Sequence, residues 1–323
     1  MSAKSCSRLA HGTQRVTDFQ GTNLEKERAM AEVGSENSGF VDVEGGRVWY
    51  RENGTRHGDK PSVLCIHGGP GLSHDYMLPL VDLADEYRVV FYDQLDAGNS
   101  DKPGDPANWR IERFVGEVVA ICAALGLERV VVIGSSWGGS VAAEYAITRP
   151  EGLVAVVLSS PMINAQRWAA DNTAYRKQLP AEVQAVLDEH EAADTTDSDA
   201  YQDAAMVFYG RHLCRMDPWP EDLLRSFGEL NHDCYGTMWG PSEYTCTGTL
   251  ADYDCGERLH EIEVPTLFTC GEFDEATPAA CRDFAAMLPG AEVAVVKDAS
   301  HVTFAEKRAE YMALMRDFVS RVE

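Results

Sequence analysis

The sequence predicts an α/β protein with a mostly parallel, doubly wound sheet and an inserted helical cap domain. Three observations carry this. First, Val130-Val131-Val132-Ile133 runs into Gly134-Ser135-Ser136-Trp137-Gly138-Gly139, a buried strand, a tight turn and then helical spacing from about Ser140 to Ile147. Second, strand and helix signals alternate on both sides of this unit, as βαβ connections require. Third, the alternation stops at Pro161 and resumes near Pro265, so the stretch between reads as an insertion.

Taken in order, residues 1–37 are polar and unpatterned and are expected to form a flexible extension. Phe40–Val43 and Arg47–Arg51 flank Gly45-Gly46, a hairpin signal. Strands follow at Ser62–Ile66, Tyr87–Tyr92, Val130–Ile133 and Leu153–Leu158. A helix is expected over Ile111–Leu125, with Gly126 as its stop. Residues 38–160 and 264–323 therefore make the core, and 161–263 the cap. Inside the cap, helical spacing is clear at Ala181–His190 and Tyr201–Leu213, and the acidic run Asp188–Asp203 reads as a solvated face. After it come a strand at Pro265–Cys270, a helix opening at Pro278, a last strand at Ala291–Val296 and a closing helix at Arg308–Val319. An insertion placed there would lie over the C-terminal edge of the sheet, where open α/β sheets carry their sites, and would act as a lid.

Composition narrows the function. The chain has 323 residues, 45% of them hydrophobic, which is ample for a substantial core. Its net charge of −24 argues against nucleic acid, whose phosphates would be repelled. No apolar run reaches the roughly 18 residues of a membrane span. Nine scattered cysteines, no C-x-x-C pair and no apolar leader predict reduced thiols and a cytoplasmic protein. Neither a phosphate-binding G-x-x-x-x-G-K-[ST] loop nor an H-E-x-x-H metal helix is present, and no cofactor or metal is implied.

The motifs point to nucleophilic catalysis. Gly134-x-Ser136-x-Gly138 between a strand and a helix is the signature of a nucleophile elbow. Ser135 is the neighbouring hydroxyl, but it fills the second slot of the motif. A serine needs a base to take its proton, and the base needs an acid to hold its tautomer. Asp274 follows one late strand and His301 follows the next, so Ser136, Asp274 and His301 fall in the Ser…Asp…His order of α/β hydrolases. Glu272 and Asp298 are the rival acids; the longer Glu272 side chain suits the turn less well. His67-Gly68-Gly69-Pro70-Gly71 follows a buried strand, and such a cluster can aim backbone N–H groups into a cavity as an oxyanion hole.

These stretches, with Ser73-His74-Asp75-Tyr76, Met238-Trp239-Gly240-Pro241-Ser242-Glu243, Thr247-Gly248-Thr249 and Gly271 to Pro278, resemble the prolyl iminopeptidase family of α/β hydrolases, and within it tricorn-interacting aminopeptidase and amino-acid amidases. The resemblance runs from about residue 39 to the end. It implies Ser136 as nucleophile, Asp274 as acid and His301 as base. It implies an oxyanion hole from the N–H groups of Gly68 and Trp137, with Gly69 as the substitute for Gly68. It also implies that Glu243 and Glu275, with Tyr235 nearby, grip the free α-amine of the substrate. The expected activity is removal of an N-terminal amino acid from small peptides or amino-acid amides. An esterase or thioesterase without amine recognition is the alternative, and a catalytically dead binding protein the more distant one. Asp96 and Ala97 depart from the glycine and cysteine usual in the turn after Asp93-Gln94, which puts the preferred substrate in question.

Overall fold

The computed structural model describes residues 37–55, 58–193 and 195–323. The expected flexible extension therefore lies, all but its last residue, outside the described residues. Eight strands form one sheet: β1 (Asn37–Val43), β2 (Gly46–Asn53), β3 (Ser62–Ile66), β4 (Val89–Tyr92), β5 (Val130–Ser135), β6 (Leu153–Ser159), β7 (Thr266–Gly271) and β8 (Glu292–Val296). Their order across the sheet is β1-β2-β4-β3-β5-β6-β7-β8. The β1–β2 and β2–β4 pairs are antiparallel and the remaining pairs parallel. All eight coincide with expected strands to within a few residues.

Burial explains which strands lie where. β3, β4 and β5 are buried along their whole length, as continuous aliphatic runs must be when helices cover both sheet faces. β1 alternates and is largely exposed, so it can serve as an edge. One face is covered by α1 (Ile111–Ala124), α2 (Trp137–Ile147) and α8 (Pro278–Met287), through Phe114, Val118, Val141 and Phe284. The other is covered by the 3-10 segment His74–Asp85 and by α10 (Arg308–Ser320), through Met77, Leu80, Tyr311 and Met315, with the short α9 (Thr303–Glu306) before it.

Between β6 and β7 lie α3 (Ala165–Arg176), α4 (Ala181–Ala192), α5 (Asp199–His212), α6 (Glu221–Gly228) and α7 (His232–Met238). The apolar periodicity of α4 and α5 is legible in sequence; that of α3, α6 and α7 is not. α7 is too short to show a period, α6 carries its apolar face on only two turns, and α3 buries only Ala165, Trp168 and Asn172. The starts of α3, α5 and α7 are chemically explicit nonetheless. Asn164, Ser198 and Asn231 each accept a backbone N–H of the first turn. Among the described residues no helix is long and apolar enough to cross a membrane.

Candidate active site

β5 ends at Ser135, whose side chain is fully buried, and the chain turns sharply at Ser136. Ser136 holds φ 57° and ψ −121°, a strained conformation for a residue with a Cβ, and is followed at once by α2. This is why the helix begins three residues earlier than its spacing suggests. The glycines of the motif permit the close approach. A Cβ on Gly134 would sit 2.1 Å from the Gly138 carbonyl oxygen, and one on Gly138 would sit 2.2 Å from that of Ile66. The amide of Trp137 is then the first N–H of α2, a position with no intrahelical partner.

Asp274, in the β7–α8 loop, is fully buried. Its Oδ1 lies 2.8 Å from Nδ1 of His301, which follows β8, and accepts the Ala276 N–H at 2.8 Å. Its Oδ2 accepts the Gly271 N–H at 2.9 Å and the Ser160 hydroxyl at 2.6 Å. With Nδ1 on the carboxylate, Nε2 of His301 is the nitrogen left for a serine. Burial pulls the His301 pKa down, but Asp274, with Glu243 and Glu306, more than offsets it and the net shift is upward. The rival acids stand apart: Glu272 and Asp298 are exposed, and Glu272 accepts the Asp298 N–H at 3.1 Å. Ser160 escaped the sequence reading. Its one signal is its place directly after β6, at the sheet edge where the other site residues emerge.

The loop after β3 holds a difference from the sequence expectation. The Gly68 N–H donates to the Tyr76 hydroxyl at 2.7 Å, so it is engaged within the protein. Gly69 and Trp137 both line the cavity beside Ser136, and among the described residues the Gly69 amide has no acceptor competing for it. His67 supports the loop from behind. Its Nε2 accepts the Gln94 N–H at 2.9 Å, its Nδ1 pairs with the Gly68 carbonyl at 2.8 Å, and burial pushes its pKa down to about 4. It is a neutral structural histidine. Gln94 in turn accepts the Trp137 indole N–H at 3.0 Å, which ties this loop to the elbow.

Two cavities open from Ser136, with empty volumes of about 230 and 350 Å³. Glu243 lines both, and its Oε1 accepts the Tyr235 hydroxyl at 2.6 Å. Glu275 is 1% exposed, and neither of its carboxyl oxygens has a hydrogen-bond partner among the described residues. Burial, then Glu243, then Asp274 push its pKa well above the usual carboxylate range. Burial also raises Glu243, with Tyr235 and His301 opposing. Each of these acids is costly to ionise where it lies.

Asp96 does not face these cavities. It sits at φ 68°, accepts the Trp109 indole N–H and the Gly104 N–H, each at 2.8 Å, and its carbonyl accepts Asn231 Nδ2 at 2.8 Å. The departure at this turn is thus a structural brace, with buried Ala97 packed beside it.

A strained serine on a strand-to-helix elbow, with a histidine–aspartate pair at the same sheet edge, defines a hydrolase of the α/β class. Residues 61–308 match the family model described as alpha/beta hydrolase fold, and the chain belongs to that family. Its relatives place it in the proline iminopeptidase branch, as its motifs led us to expect. It is 40% identical to the proline iminopeptidase of Heyndrickxia coagulans over 88% of this chain and 99% of that protein, and 32% identical to that of Thermoplasma volcanium over 88% and 96%. Among solved structures, VinJ superposes with a TM-score of 0.87 at 36% identity, covering 90% of this chain and 100% of that one. The proline iminopeptidase of Mycobacterium smegmatis does so with a TM-score of 0.83 at 37% identity, covering 88% and 98%.

Proposed function

We propose that this enzyme removes an N-terminal amino acid from small peptides or amino-acid amides through an acyl-enzyme on Ser136. His301 Nε2 takes the Ser136 proton as Oγ attacks the carbonyl carbon, and Asp274 holds the imidazole in the required tautomer. The N–H groups of Gly69 and Trp137 receive the developing oxyanion. Gly69 replaces Gly68 in this role because the Gly68 amide is taken by Tyr76. His301 then gives its proton to the leaving nitrogen, and water releases the acyl group by the same steps in reverse order. Residues 161–263 act as the cap that closes over these groups.

The observation that carries the reading is the buried, unpartnered carboxylate of Glu275 beside Glu243. An esterase gains nothing from a raised, desolvated Glu243 lining both cavities with a second buried acid that feels its charge, whereas an α-ammonium would pair with them. The named relatives favour the same substrate class. Eight described cysteines are free thiols, which supports a reducing, cytoplasmic setting. The net charge of −24 speaks against a nucleic-acid partner.

The test is kcat/KM for an aminoacyl arylamide, its N-acetyl derivative and a short-chain nitrophenyl ester, on wild type and on Glu243→Gln and Glu275→Gln. Leaving a buried charge pair half-made costs about 2–5 kcal/mol, or roughly 30- to several-thousand-fold. Acetylation and each substitution should cost that much on the arylamide and far less on the ester. Equal rates on free and acetylated substrate would overturn the reading in favour of the esterase.

A further inference from the structure

The two cavities that meet at Ser136 have different walls. The smaller is aromatic, with Trp137, Met162, Trp168, Trp239 and Leu250. The larger is mainly aliphatic, with Leu72, Leu213, Leu223 and Val302, and is completed by Phe227 and Tyr76. Gly69, Ser136 and Glu243 line both, so a carbonyl carbon held at Ser136 stands at their junction. His301 lines only the larger, and Trp137 only the smaller. Trp168 forms the partition, edge-on to His301 at 5.6 Å and to Trp239 at 6.2 Å between ring centroids.

The route of the proton decides which half of the substrate occupies which cavity. The proton His301 takes from Ser136 Oγ must go to the leaving nitrogen as the C–N bond breaks and the acyl group stays on Oγ. That nitrogen therefore departs on the His301 side. The acyl half keeps its oxygen toward the Trp137 amide and its amine at Glu243, which turns its side chain into the aromatic cavity.

We propose that the aliphatic cavity is the leaving-amine site, and that the enzyme prefers aminoacyl amides of apolar, uncharged amines to dipeptides with a free C-terminal carboxylate. This rests on the amine-recognition reading above. Among the described residues no lysine or arginine lines the cavity, and the charged side chain it shares with its neighbour is Glu243. The nearest cation on its wall helix, Arg225 of α6, is already paired to Asp75 at 2.9 Å, with Asp222 at 3.4 Å. A dipeptide carries its carboxylate two bonds from the scissile nitrogen. Here that charge would lose water, find no lysine or arginine and face Glu243. A primary amide or a hydrocarbon amine keeps the apolar contact and brings no charge.

The experiment holds the N-terminal residue constant, for instance alanyl, and compares four substrates on the wild-type enzyme at pH 7.5: the leucinamide, the free leucine dipeptide, the simple amide that releases ammonia, and the N-acetylated leucinamide. The leucinamide should exceed the free dipeptide in kcat/KM by about tenfold or more. Equal rates, or a faster free dipeptide, would overturn the proposal. The acetylated arm separates the two readings. Its survival would sink amine recognition at Glu243 and Glu275, whereas the amide-to-acid ratio addresses the leaving-group site alone. In addition, Phe227→Ala should lower the leucinamide-to-simple-amide ratio by about tenfold, and Leu250→Ala should change preference among N-terminal residues while keeping that ratio. The reverse pattern would show that the cavities had been assigned the wrong way round. The wild-type arms decide the matter even if Phe227→Ala does not fold.

Discussion

The Tyr76 hydroxyl accepts the N–H of Gly68 at 2.7 Å, across eight residues of chain, and so withdraws that amide from the cavity beside Ser136. Tyr76 is a positioning residue in this arrangement, since it shapes the loop that presents Gly69. Tyr76→Phe leaves a buried N–H without a partner, worth about 1–3 kcal/mol of loop order. We expect kcat to fall by about tenfold with KM little changed, less than the 10²–10³ for losing an oxyanion donor outright. An unchanged or increased kcat would show instead that Gly68 is itself the donor and that Tyr76 restrains it.

Ser136 stands at the strained turn and Ser135 inside the strand. Ser136→Ala should therefore lower kcat by about 10⁶-fold, the scale for a lost triad nucleophile. Ser135→Ala should retain most activity. Active-site titration with an acylating phosphonate, read by mass spectrometry of the labelled peptide, locates the same residue independently.

Asp274 receives three hydrogen bonds besides His301, whereas Glu272 lies exposed. Asp274→Asn should lower kcat by about 10⁴-fold, and Glu272→Gln should stay near wild type. The pH profile adds a second readout. His301 must be neutral to act as base, so kcat/KM falls as pH drops through its raised pKa. Removing the Asp274 charge removes an upward cause of that shift, so the acid limb of the residual activity should move to lower pH. An acid limb that stays in place would mean that another group holds His301.

Glu275 is less comfortable ionised in the folded chain than in the unfolded one, because burial and Glu243 raise its pKa. Its contribution to stability is therefore full below the usual carboxylate range and is lost as pH rises through the folded value. Glu275→Gln should be near neutral for stability at about pH 4.5 and stabilising at pH 8, by about 1–3 kcal/mol, while activity on free-amine substrates collapses. Thermal melts of both proteins across this range check it. A variant that loses stability at pH 8 would show that Glu275 supports the fold rather than the substrate.

Chain-local signals made the sheet and the elbow legible. Four β-branched residues before Gly134 and a helix after Gly138 are covalent neighbours, and the strain at Ser136 follows from their junction. The order Ser136, Asp274, His301 was readable for the same reason, since each residue follows its own strand. The short helices α6 and α7 were not, because a pattern confined to one or two turns does not stand out from its surroundings in sequence. Nor was Asp96, which in sequence is a turn residue and in the fold receives Trp109, Gly104 and, through its carbonyl, Asn231.

By itself the sequence determined the strands and their order along the chain, the longer helices, and the places of Ser136, Asp274 and His301 directly after their strands, because these depend on neighbours within a few residues. Only the tertiary structure decided how those side chains are used. Gly68 gives its amide to Tyr76, Ser160 holds Asp274, and Glu275 lies buried without a partner among the described residues because segments far apart in the chain pack together there. The two cavities are a property of that packing as well, since α3, α6 and the loops after β3 and β8 each contribute a wall. Hydrogen-bond competition, desolvation and cavity shape arise between such segments, and no local pattern of residues records them.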